Sequence, residues 1–453
     1  MLRSVNPATG ELLAEYPEDD EARIGEKLQL SESVFVQWKK VPVTERSALM
    51  KAAADELRSS KSAWAELMTK EMGKPIGQAE AEAEKCAWVC DFYAEQAGKF
   101  LSPEFFPTDA AESFVRFDPI GPVLAVMPWN FPFWQVFRFA APNLMAGNVG
   151  LLKHASNVPG CALAIEEIFA RAGFPKGVFQ SLMVRSGPVK RIIGDPTVRA
   201  VTLTGSDPAG RAVASEAGAN IKKSVLELGG SDPFIVLADA DVEDAARKAT
   251  TARTINSGQS CIAAKRFIVE KTVADAFKEA FVSAMANLRV GDPMDPSTDV
   301  GPLARLDLLE DLGDQVERSV AHGAEVALGG GRLDRPGFFF EPTVLTDVSP
   351  DNPAFREETF GPLAALVRAE NTEEAVVLAN LSDFGLGASV WTTDVEKGKD
   401  VAAQIEAGAV FVNGIVKSDP RLPFGGVKRS GYGRELGLAG IREFVNAKTV
   451  YVE

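Results

Sequence analysis

The chain has 453 residues, of which 46% are hydrophobic and 25% are charged. This profile is typical of a folded protein with two or three domains, and it argues against a disordered or membrane-spanning one. The net charge of −15 argues against nucleic acid or anionic lipid as a partner, because both are polyanions. Four scattered cysteines and two histidines predict no disulfide framework and no metal site. Residues 1–15 lack an apolar signal segment, so a cytoplasmic location is expected.

The first hundred residues are dominated by helical spacing. From about Ser31 to Phe100, apolar residues recur at helical intervals among many charges, which predicts a cover of helices. Cys86 and Cys90 are four residues apart within this stretch. Two small apolar residues on one helix face explain that spacing more often than a redox pair does.

After this stretch, short β-rich runs alternate with helical segments. A first series predicts strands at Val123–Met127, Val149–Lys153, Val178–Val184 and Ala200–Leu203, with a helix at Ala162–Arg171. A second series predicts strands at Pro233–Leu237 and Phe267–Glu270 and helices at Val242–Thr254 and Val273–Leu288. This alternation predicts parallel sheets covered by helices, in two domains. The strand-like Thr449–Val452 needs a sheet to join, in its own chain or in a neighbouring one.

Three short segments carry residues suited to nucleophilic catalysis. Cys261 lies in a glycine-containing turn that can expose a thiol, although most free cysteines are inert core residues. Glu227 lies in an apolar run, where desolvation would raise its pKa toward that of a general base, and a solvated strand face is the alternative. Asn130 follows a predicted strand between two prolines, where its amide can stabilise a developing alkoxide unless it is a plain turn residue.

The signals for a cofactor are weaker. Gly205 and Ser206 lie in a turn that follows a predicted strand and opens a helix, so backbone N–H groups there can face a pyrophosphate. The turn does not have the GxGxxG pattern, and many such turns bind nothing. Lys153 and Ser156 also follow a strand, where they offer a cation and a hydroxyl to a ribose or a phosphate.

Five motifs in order resemble those of a known family. They are PWNFP at Pro128, LELGG at Leu226, GQSC at Gly258, EETFGP at Glu357 and PFGGVKRSG at Pro423. With these motifs, essentially the whole chain resembles the aldehyde dehydrogenase superfamily. Its short length and the segment FWQVFRFAAP further resemble the bacterial short-form succinate-semialdehyde dehydrogenases.

The resemblance implies an α/β subunit of three parts. A Rossmann-like dinucleotide-binding domain would take residues 1–108 and 124–230, and an α/β catalytic domain would take residues 231–425. A small β bridging element at 109–123 and 436–453 would pair with a partner subunit in a homodimer or homotetramer.

The same resemblance assigns catalytic roles. It implies that Cys261 is the nucleophile, that Glu227 activates the water that hydrolyses a thioester, and that Asn130 with the Cys261 backbone N–H forms the oxyanion hole. Some lowering of the Cys261 pKa is expected, since a free thiol titrates at about 8.5 and must attack at neutral pH. The implied cofactor-binding residues are Trp129, Lys153, Ser156, Gly205, Ser206, Leu228, Glu358 and Phe360.

Two positions depart from the family pattern. Ser156 stands where NAD-preferring relatives carry a glutamate, and a serine beside Lys153 can accept a 2′-phosphate, so NADP is expected with NAD as the alternative. Ile255 stands where many semialdehyde enzymes carry an arginine. By their positions, Arg138 and Ser418 are expected to bind the distal carboxylate of succinic semialdehyde or a close carboxylated aldehyde. Arg138 as a helix-surface cation paired with a local acid is the alternative.

Three other functions remain open from the sequence. They are a broad-specificity NAD(P) aldehyde dehydrogenase, a CoA-acylating enzyme and a catalytically silent binding protein of the same fold. An intact Glu227 favours acid formation over transfer to CoA, because hydrolysis needs a base for water. A silent protein would have lost one of Cys261, Glu227 and Asn130, and the chain has all three.

Overall fold

A computed structural model describes residues 1–453, and helices form where the sequence has helical spacing. Each helix buries an apolar stripe against a sheet or another helix. The helices are α1 (Glu21–Trp38), α2 (Val43–Ser59), α3 (Lys61–Met72), α4 (Ile76–Phe100), α5 (Trp134–Met145), α6 (Pro159–Arg171), α7 (Val189–Gly194), α8 (Asp207–Ala219), α9 (Val242–Thr254), α10 (Ala274–Ala286), α11 (Leu306–Ala321), α12 (Pro353–Arg356), α13 (Thr372–Asn380), α14 (Val395–Ala402) and α15 (Gly437–Arg442). None of them combines the length and the apolarity needed to cross a bilayer.

The strands are mostly short, and those at the sheet centres are buried on both faces. They are β1 (Leu2–Val5), β2 (Leu12–Tyr16), β3 (Glu104–Phe105), β4 (Glu112–Pro119), β5 (Pro122–Val126), β6 (Val149–Lys153), β7 (Phe179–Ser181), β8 (Ala200–Thr204), β9 (Lys223–Glu227), β10 (Asp232–Val236), β11 (Ala264–Glu270), β12 (Glu325–Leu328), β13 (Thr343–Thr346), β14 (Leu363–Ala369), β15 (Phe384–Gly385), β16 (Gly387–Trp391), β17 (Ala409–Val412), β18 (Val427–Lys428), β19 (Gly431–Tyr432) and β20 (Val445–Val452). Continuous apolar runs such as Phe234–Val236 are typical of strands covered by helices on both faces.

A six-stranded sheet has the order β19-β9-β8-β5-β6-β7. Its strands are parallel except β19, which is antiparallel to β9. The chain runs outward from β5 to β7 and then returns to β8 on the other side of β5. The strand order therefore reverses between β5 and β8, and ligands of open α/β sheets bind at the carboxyl ends beside such a reversal.

A seven-stranded sheet has the order β12-β13-β14-β11-β10-β16-β17 and is parallel except for β12. Only residues 228–231 join β9 of the first sheet to β10 of the second. The carboxyl edge of the six-stranded sheet therefore meets the amino edge of the seven-stranded one. Cys261 lies at this junction, three residues before β11 begins.

The predicted elements largely match the structure. Helix α9 and strand β6 have their predicted bounds, and the helical cover begins ten residues earlier than expected, at Glu21. The earlier start has a local cause, because Asp20 Oδ1 accepts a hydrogen bond from Arg23 N at 2.8 Å and caps α1. The predicted seven-residue strand Val178–Val184 was too long, because only β7 pairs with β6.

A three-stranded sheet in the order β20-β4-β3 stands apart from the two larger ones. All eight residues of β20 pair antiparallel with β4, and the other edge of β20 has no partner within the chain. Strand β3 begins before residue 109, and β19 joins the six-stranded sheet from beyond residue 425. The predicted domain boundaries therefore stay a proposal. The β3–β4 pair crosses the predicted boundary at residue 108, and β19 lies between residues 425 and 436, outside every predicted domain.

Candidate active site

The segment just before Cys261 adopts a backbone conformation that few residues accept. After α9, a 3-10 turn at Ile255–Gly258 places Asn256, Ser257 and Gly258 at φ values of 53°, 55° and 77°. A Cβ atom on Gly258 would collide with the carbonyl oxygen of Gly361, so only glycine fits there. Residues 256–261, here called the nucleophile loop, thus have the strained geometry that is common at functional sites.

Buried hydrogen bonds hold this strained loop in place. Asn256 is fully buried, and its Nδ2 donates to the backbone oxygen of Asn130 at 2.7 Å. Ser257 Oγ accepts from the Gly301 backbone N–H at 2.9 Å. The nucleophile loop is therefore tied directly to the turn after β5, and the relative positions of the thiol and the Asn130 amide are fixed.

Asn130 is itself buried and oriented by two contacts. Its Oδ1 accepts from Gln135 Nε2 at 3.1 Å, and its Nδ2 donates to the backbone oxygen of Gln259 at 3.0 Å. An amide nitrogen carries two hydrogens, so one N–H remains to meet an oxyanion. This geometry fits the oxyanion-hole role that the sequence implied.

The Cys261 thiol and the Asn130 amide line one cavity of about 350 Å³, here called the strand-end cavity. It lies where the strand order of the six-stranded sheet reverses. The predicted site residues that line it are Trp129, Asn130, Gly205, Ser206, Leu228, Cys261, Glu358 and Phe360. The sequence analysis missed Gln135, Thr204, Arg305 and Leu308, which line it as well. Thr204 directly precedes Gly205 and Ser206 in the predicted turn, so that motif could have indicated it, whereas the sequence carried little signal for the other three.

Burial dominates the electrostatics of the nucleophile. It raises the pKa of the Cys261 thiol to about 12, although the nearby cations of Lys265 and Arg138 act in the opposite direction. The expected lowering of this pKa is therefore wrong, because desolvation of a thiolate outweighs two cations. Lys265 Nζ donates to the backbone oxygens of Ser260 at 2.9 Å and Cys261 at 2.8 Å, so its charge holds the loop. The thiol is protonated at neutral pH and needs a base before it can attack.

Glu227 ends β9 and is 2% exposed, as the prediction of an inward-facing carboxylate requires. Burial raises its pKa well above the usual range and Glu435 raises it further, while Arg138 and Arg434 act against the shift. Neither of its carboxyl oxygens has a hydrogen-bond partner. Its Oε1 lies close to Gly425, outside the lining of the strand-end cavity. Its role as the base stays a prediction.

Two predicted cofactor residues lie outside this cavity. Lys153 ends β6, beside β5, and has no carboxylate partner, and burial lowers its pKa. Ser156 follows three residues later and is exposed. Within the cavity, Ser206 is the N-cap of α8 and makes no side-chain capping bond. A free hydroxyl at the positive end of a helix and an unpaired lysine at the same sheet edge suit the phosphates of a dinucleotide.

A second cavity, of about 560 Å³, lies on the other side of the Trp129–Pro132 turn. Phe131 lines this second cavity, while its neighbour Asn130 lines the first. The remaining wall comes from α4, Trp134 at the start of α5, α9 with Ile255, and residues 288–299. We call it the helix-side cavity, and its position next to the oxyanion donor suits the body of an aldehyde substrate.

The two residues expected to bind a substrate carboxylate, Arg138 and Ser418, both have polar partners within the chain. Arg138 is buried on α5, forms an ion pair with Glu435 and donates to Thr204 Oγ1 at 3.1 Å. This buried ion pair is not the surface pair of the alternative, and the role of Arg138 at a substrate carboxylate stays a prediction. Ser418 Oγ accepts a hydrogen bond from Lys85 Nζ at 2.8 Å. The sequence analysis missed Lys85, because it resembles the many other charges of α4.

Comparisons with known proteins identify the family to which the chain belongs. A sequence model of the aldehyde dehydrogenase family matches residues 1–450. A protein of Synechocystis sp. named a probable succinate-semialdehyde dehydrogenase (NADP(+)) is 54% identical, over 100% of this chain and 99% of that protein. A Mycobacterium bovis protein named succinate-semialdehyde dehydrogenase (NADP(+)) 1 is 51% identical over the same shares.

A solved structure is also closely similar. It is that of succinic semialdehyde dehydrogenase from Streptococcus pyogenes in complex with NADP+, with a TM-score of 0.98, 39% identity and 100% of both chains covered. These matches confirm the predicted α/β fold class and NAD(P)-dependent aldehyde oxidation. The chain belongs to the aldehyde dehydrogenase family.

Proposed function

We propose that this chain oxidises succinic semialdehyde to succinate with NADP+ as the hydride acceptor. The observation that carries the proposal is the strand-end cavity, where the Cys261 thiol and the Asn130 amide meet six residues expected to bind the cofactor. The names of the Synechocystis and Mycobacterium bovis relatives, and the NADP+ in the Streptococcus pyogenes structure, support the same substrate and cofactor here.

The residues present fit NADP+. Ser206 would hold the pyrophosphate at the start of α8, and Glu358 would hold the nicotinamide ribose in the strand-end cavity. Lys153 and Ser156 would hold the adenosine ribose and its phosphate, since neither repels an anion. Bound there, NADP+ would accept a hydride from the substrate carbon.

In the first half of the reaction, the chain supplies a nucleophile and an oxyanion hole. The Cys261 thiol gives its proton to solvent water, and its sulfur forms a bond to the aldehyde carbon. The carbonyl oxygen becomes an oxyanion, which the free N–H of the Asn130 amide and the Cys261 backbone N–H stabilise. After the carbon has lost its hydride, a thioester on Cys261 remains.

In the second half, the chain activates water. Glu227 takes a proton from a water molecule, whose oxygen adds to the thioester carbon. The carbon–sulfur bond then breaks, which releases the carboxylic acid, and the proton held by Glu227 passes to the sulfur to return the thiol. A buried carboxylate with a raised pKa is a stronger base once it is ionised, so Glu227 suits this step.

We further infer that copies of the chain assemble through β20. This strand has eight residues, most of them exposed, and its outer edge is unpaired within the chain. An open edge of this length is a ready pairing site for a second chain. The homodimer or homotetramer and the cytoplasmic location stay predictions from the sequence.

The test is a comparison of initial rates for succinic semialdehyde and butyraldehyde, each with NADP+ and with NAD+. Butyraldehyde has the same chain length and lacks the carboxylate. We expect kcat/KM to be at least about tenfold higher for the carboxylated aldehyde, because a charge-assisted contact contributes about that much. Equal values for the two aldehydes would overturn the substrate, and better use of NAD+ would overturn the cofactor.

A further inference from the structure

Three charged side chains line the helix-side cavity: Glu82, Lys85 and Asp299. The Glu82 carboxylate is paired with the buried Lys74 and accepts hydrogen bonds from two backbone N–H groups at the start of α5. Asp299 is exposed, and it accepts from the backbone N–H of Arg289 at 2.9 Å. Of these three side chains, only Lys85 has neither an ion-pair partner nor a hydrogen bond to the backbone.

The ammonium group of Lys85 has only neutral contacts. Its Nζ donates to Ser418 Oγ at 2.8 Å and lies 4.2 Å from the centre of the Trp134 ring. No carboxylate forms an ion pair with it. A hydroxyl and an aromatic face solvate a cation but do not neutralise it, and a partly buried cation without a counter-ion is costly. The site therefore favours the entry of an anion.

Two charges outside the cavity lining that act on Lys85 are already matched. Arg138 is paired with Glu435, and Asp419 is paired with Arg421 at 2.6 Å. Neither acid is therefore free to serve Lys85. The cation that the sequence assigned to a substrate carboxylate is neutralised within the protein, while the neighbouring lysine is not.

The pKa of Lys85 reports the same imbalance. Burial lowers it to about 8, and repulsion from Arg138 acts in the same direction. Cys86 and Glu82 on its own helix and Asp419 on the loop beside it act in the opposite direction, and they do not cancel the shift. An anion bound beside Lys85 would favour the charged form and remove this penalty.

We propose that Lys85, together with the Ser418 hydroxyl, binds the distal carboxylate of the aldehyde substrate. This inference rests on the proposed function, since it requires a carboxylated aldehyde. Phe131 lines the helix-side cavity and its chain neighbour Asn130 lines the strand-end cavity, so a substrate whose aldehyde carbon meets Cys261 would extend past Phe131 toward Lys85. Lys85 therefore sets the preference for short ω-carboxylated aldehydes.

The experiment measures kcat/KM for succinic semialdehyde and for butyraldehyde with saturating NADP+, and uses their ratio. Lys85→Met is expected to lower the ratio about 10- to 100-fold, mainly through the KM of the carboxylated aldehyde. Lys85→Arg is expected to retain most of the preference, because it keeps the charge. Lys99→Met is the matched control, since Lys99 is an exposed lysine at the far end of α4 without an ion pair, and its ratio is expected to stay at the wild-type value.

A pH profile separates binding from a structural role. In the wild type, the ratio is expected to fall as pH rises through about 8, because Lys85 loses its charge there. Steps common to both aldehydes, including ionisation of Cys261, cancel in the ratio. In Lys85→Arg the ratio is expected to stay flat, because a guanidinium does not titrate in this range.

The outcomes separate this inference from the function on which it rests. A wild-type ratio near one overturns the substrate class itself. A clear wild-type preference that is flat with pH and survives in Lys85→Met overturns the role of Lys85 and leaves the substrate intact. If Lys85→Met loses activity toward both aldehydes through misfolding, the wild-type and Lys85→Arg profiles still decide.

Discussion

The strand-end cavity and the helix-side cavity share one wall, the Trp129–Pro132 turn, but they are built in different ways. The first collects residues from the ends of β5, β8 and β9 and from the nucleophile loop, so sheet pairing sets the position of its backbone. The second collects side chains from helices and from residues 288–299. Side chains on helices can change without moving the strand ends, so substrate preference can vary while the chemistry is kept.

The two cavities also differ in charge. In the first, Lys265 donates to two backbone oxygens of the nucleophile loop and lies 3.6 Å from the Glu358 carboxylate. In the second, Lys85 has no counter-ion. We therefore expect changes in the strand-end cavity to alter turnover of all aldehydes equally, and changes in the helix-side cavity to alter the choice among them.

The largest effect is expected for Cys261→Ala. Without the thiol no thioester forms, so NADPH production should fall more than about a thousandfold for succinic semialdehyde and butyraldehyde alike. NADP+ should still bind with nearly wild-type affinity, which quenching of tryptophan fluorescence measures. Residual turnover with either aldehyde would contradict the mechanism.

For Glu227→Gln we expect hydrolysis of the thioester to slow about a hundredfold, because the amide cannot take a proton from water. Loss of the hydride precedes that step, so a burst of about one NADPH per site should come before a slow steady rate. Rapid-mixing absorbance records the burst, and mass spectrometry of the intact protein detects the acylated chain. A variant with neither a burst nor an acyl adduct would exclude Glu227 as the hydrolytic base.

Gly258→Ala tests how far the nucleophile loop depends on its strained backbone. The added methyl would collide with the Gly361 carbonyl at a φ of 77°, so the variant should lose roughly 2 kcal/mol of stability and turn over both aldehydes more slowly. Gly313→Ala is the matched control, since nothing lies near its Cβ position on α11. Thermal unfolding should show the control as stable as the wild type or more so.

The pH dependence with butyraldehyde should reflect the strand-end cavity alone. The pKa of Cys261 is raised to about 12, so the thiol form dominates at neutral pH and the thiolate fraction grows with pH. The value of kcat/KM should therefore rise by up to about tenfold per pH unit above neutrality. A profile that falls on the alkaline side of neutral pH would show that another group controls the attack.

The smallest effect is expected at the cofactor end. Ser156→Glu places a carboxylate beside the adenosine ribose, where it repels a 2′-phosphate and accepts from a free 2′-hydroxyl. We expect the ratio of kcat/KM with NADP+ to that with NAD+ to fall about tenfold, with the aldehyde preference unchanged. Ser156→Ala is the control, because it removes the hydroxyl without adding charge. An unchanged cofactor ratio in Ser156→Glu would remove Ser156 from the phosphate site.

Much of the strand-end cavity was predictable because its residues stand in short motifs. Trp129 and Asn130, Gly205 and Ser206, and Leu228 each lie within four residues of the end of a strand, and parallel strands bring their carboxyl ends to one edge. A periodic pattern locates such strands, and the motif then lies within a few residues of the site. The helix-side cavity had no such signal, because Lys85 lies in the middle of a long charged helix.

The sequence by itself determined the family and the α/β class, and it located the motifs that contain Cys261 and Asn130. These follow from local periodicity and from motifs whose residues are neighbours in the chain. The tertiary structure alone decided which buried charges are matched. Arg138 pairs with Glu435 about three hundred residues away, and desolvation beside the strand-end cavity raises the pKa of Cys261, where the sequence analysis expected a lowered pKa. Burial and long-range pairing depend on how distant segments pack, so no local pattern contains them.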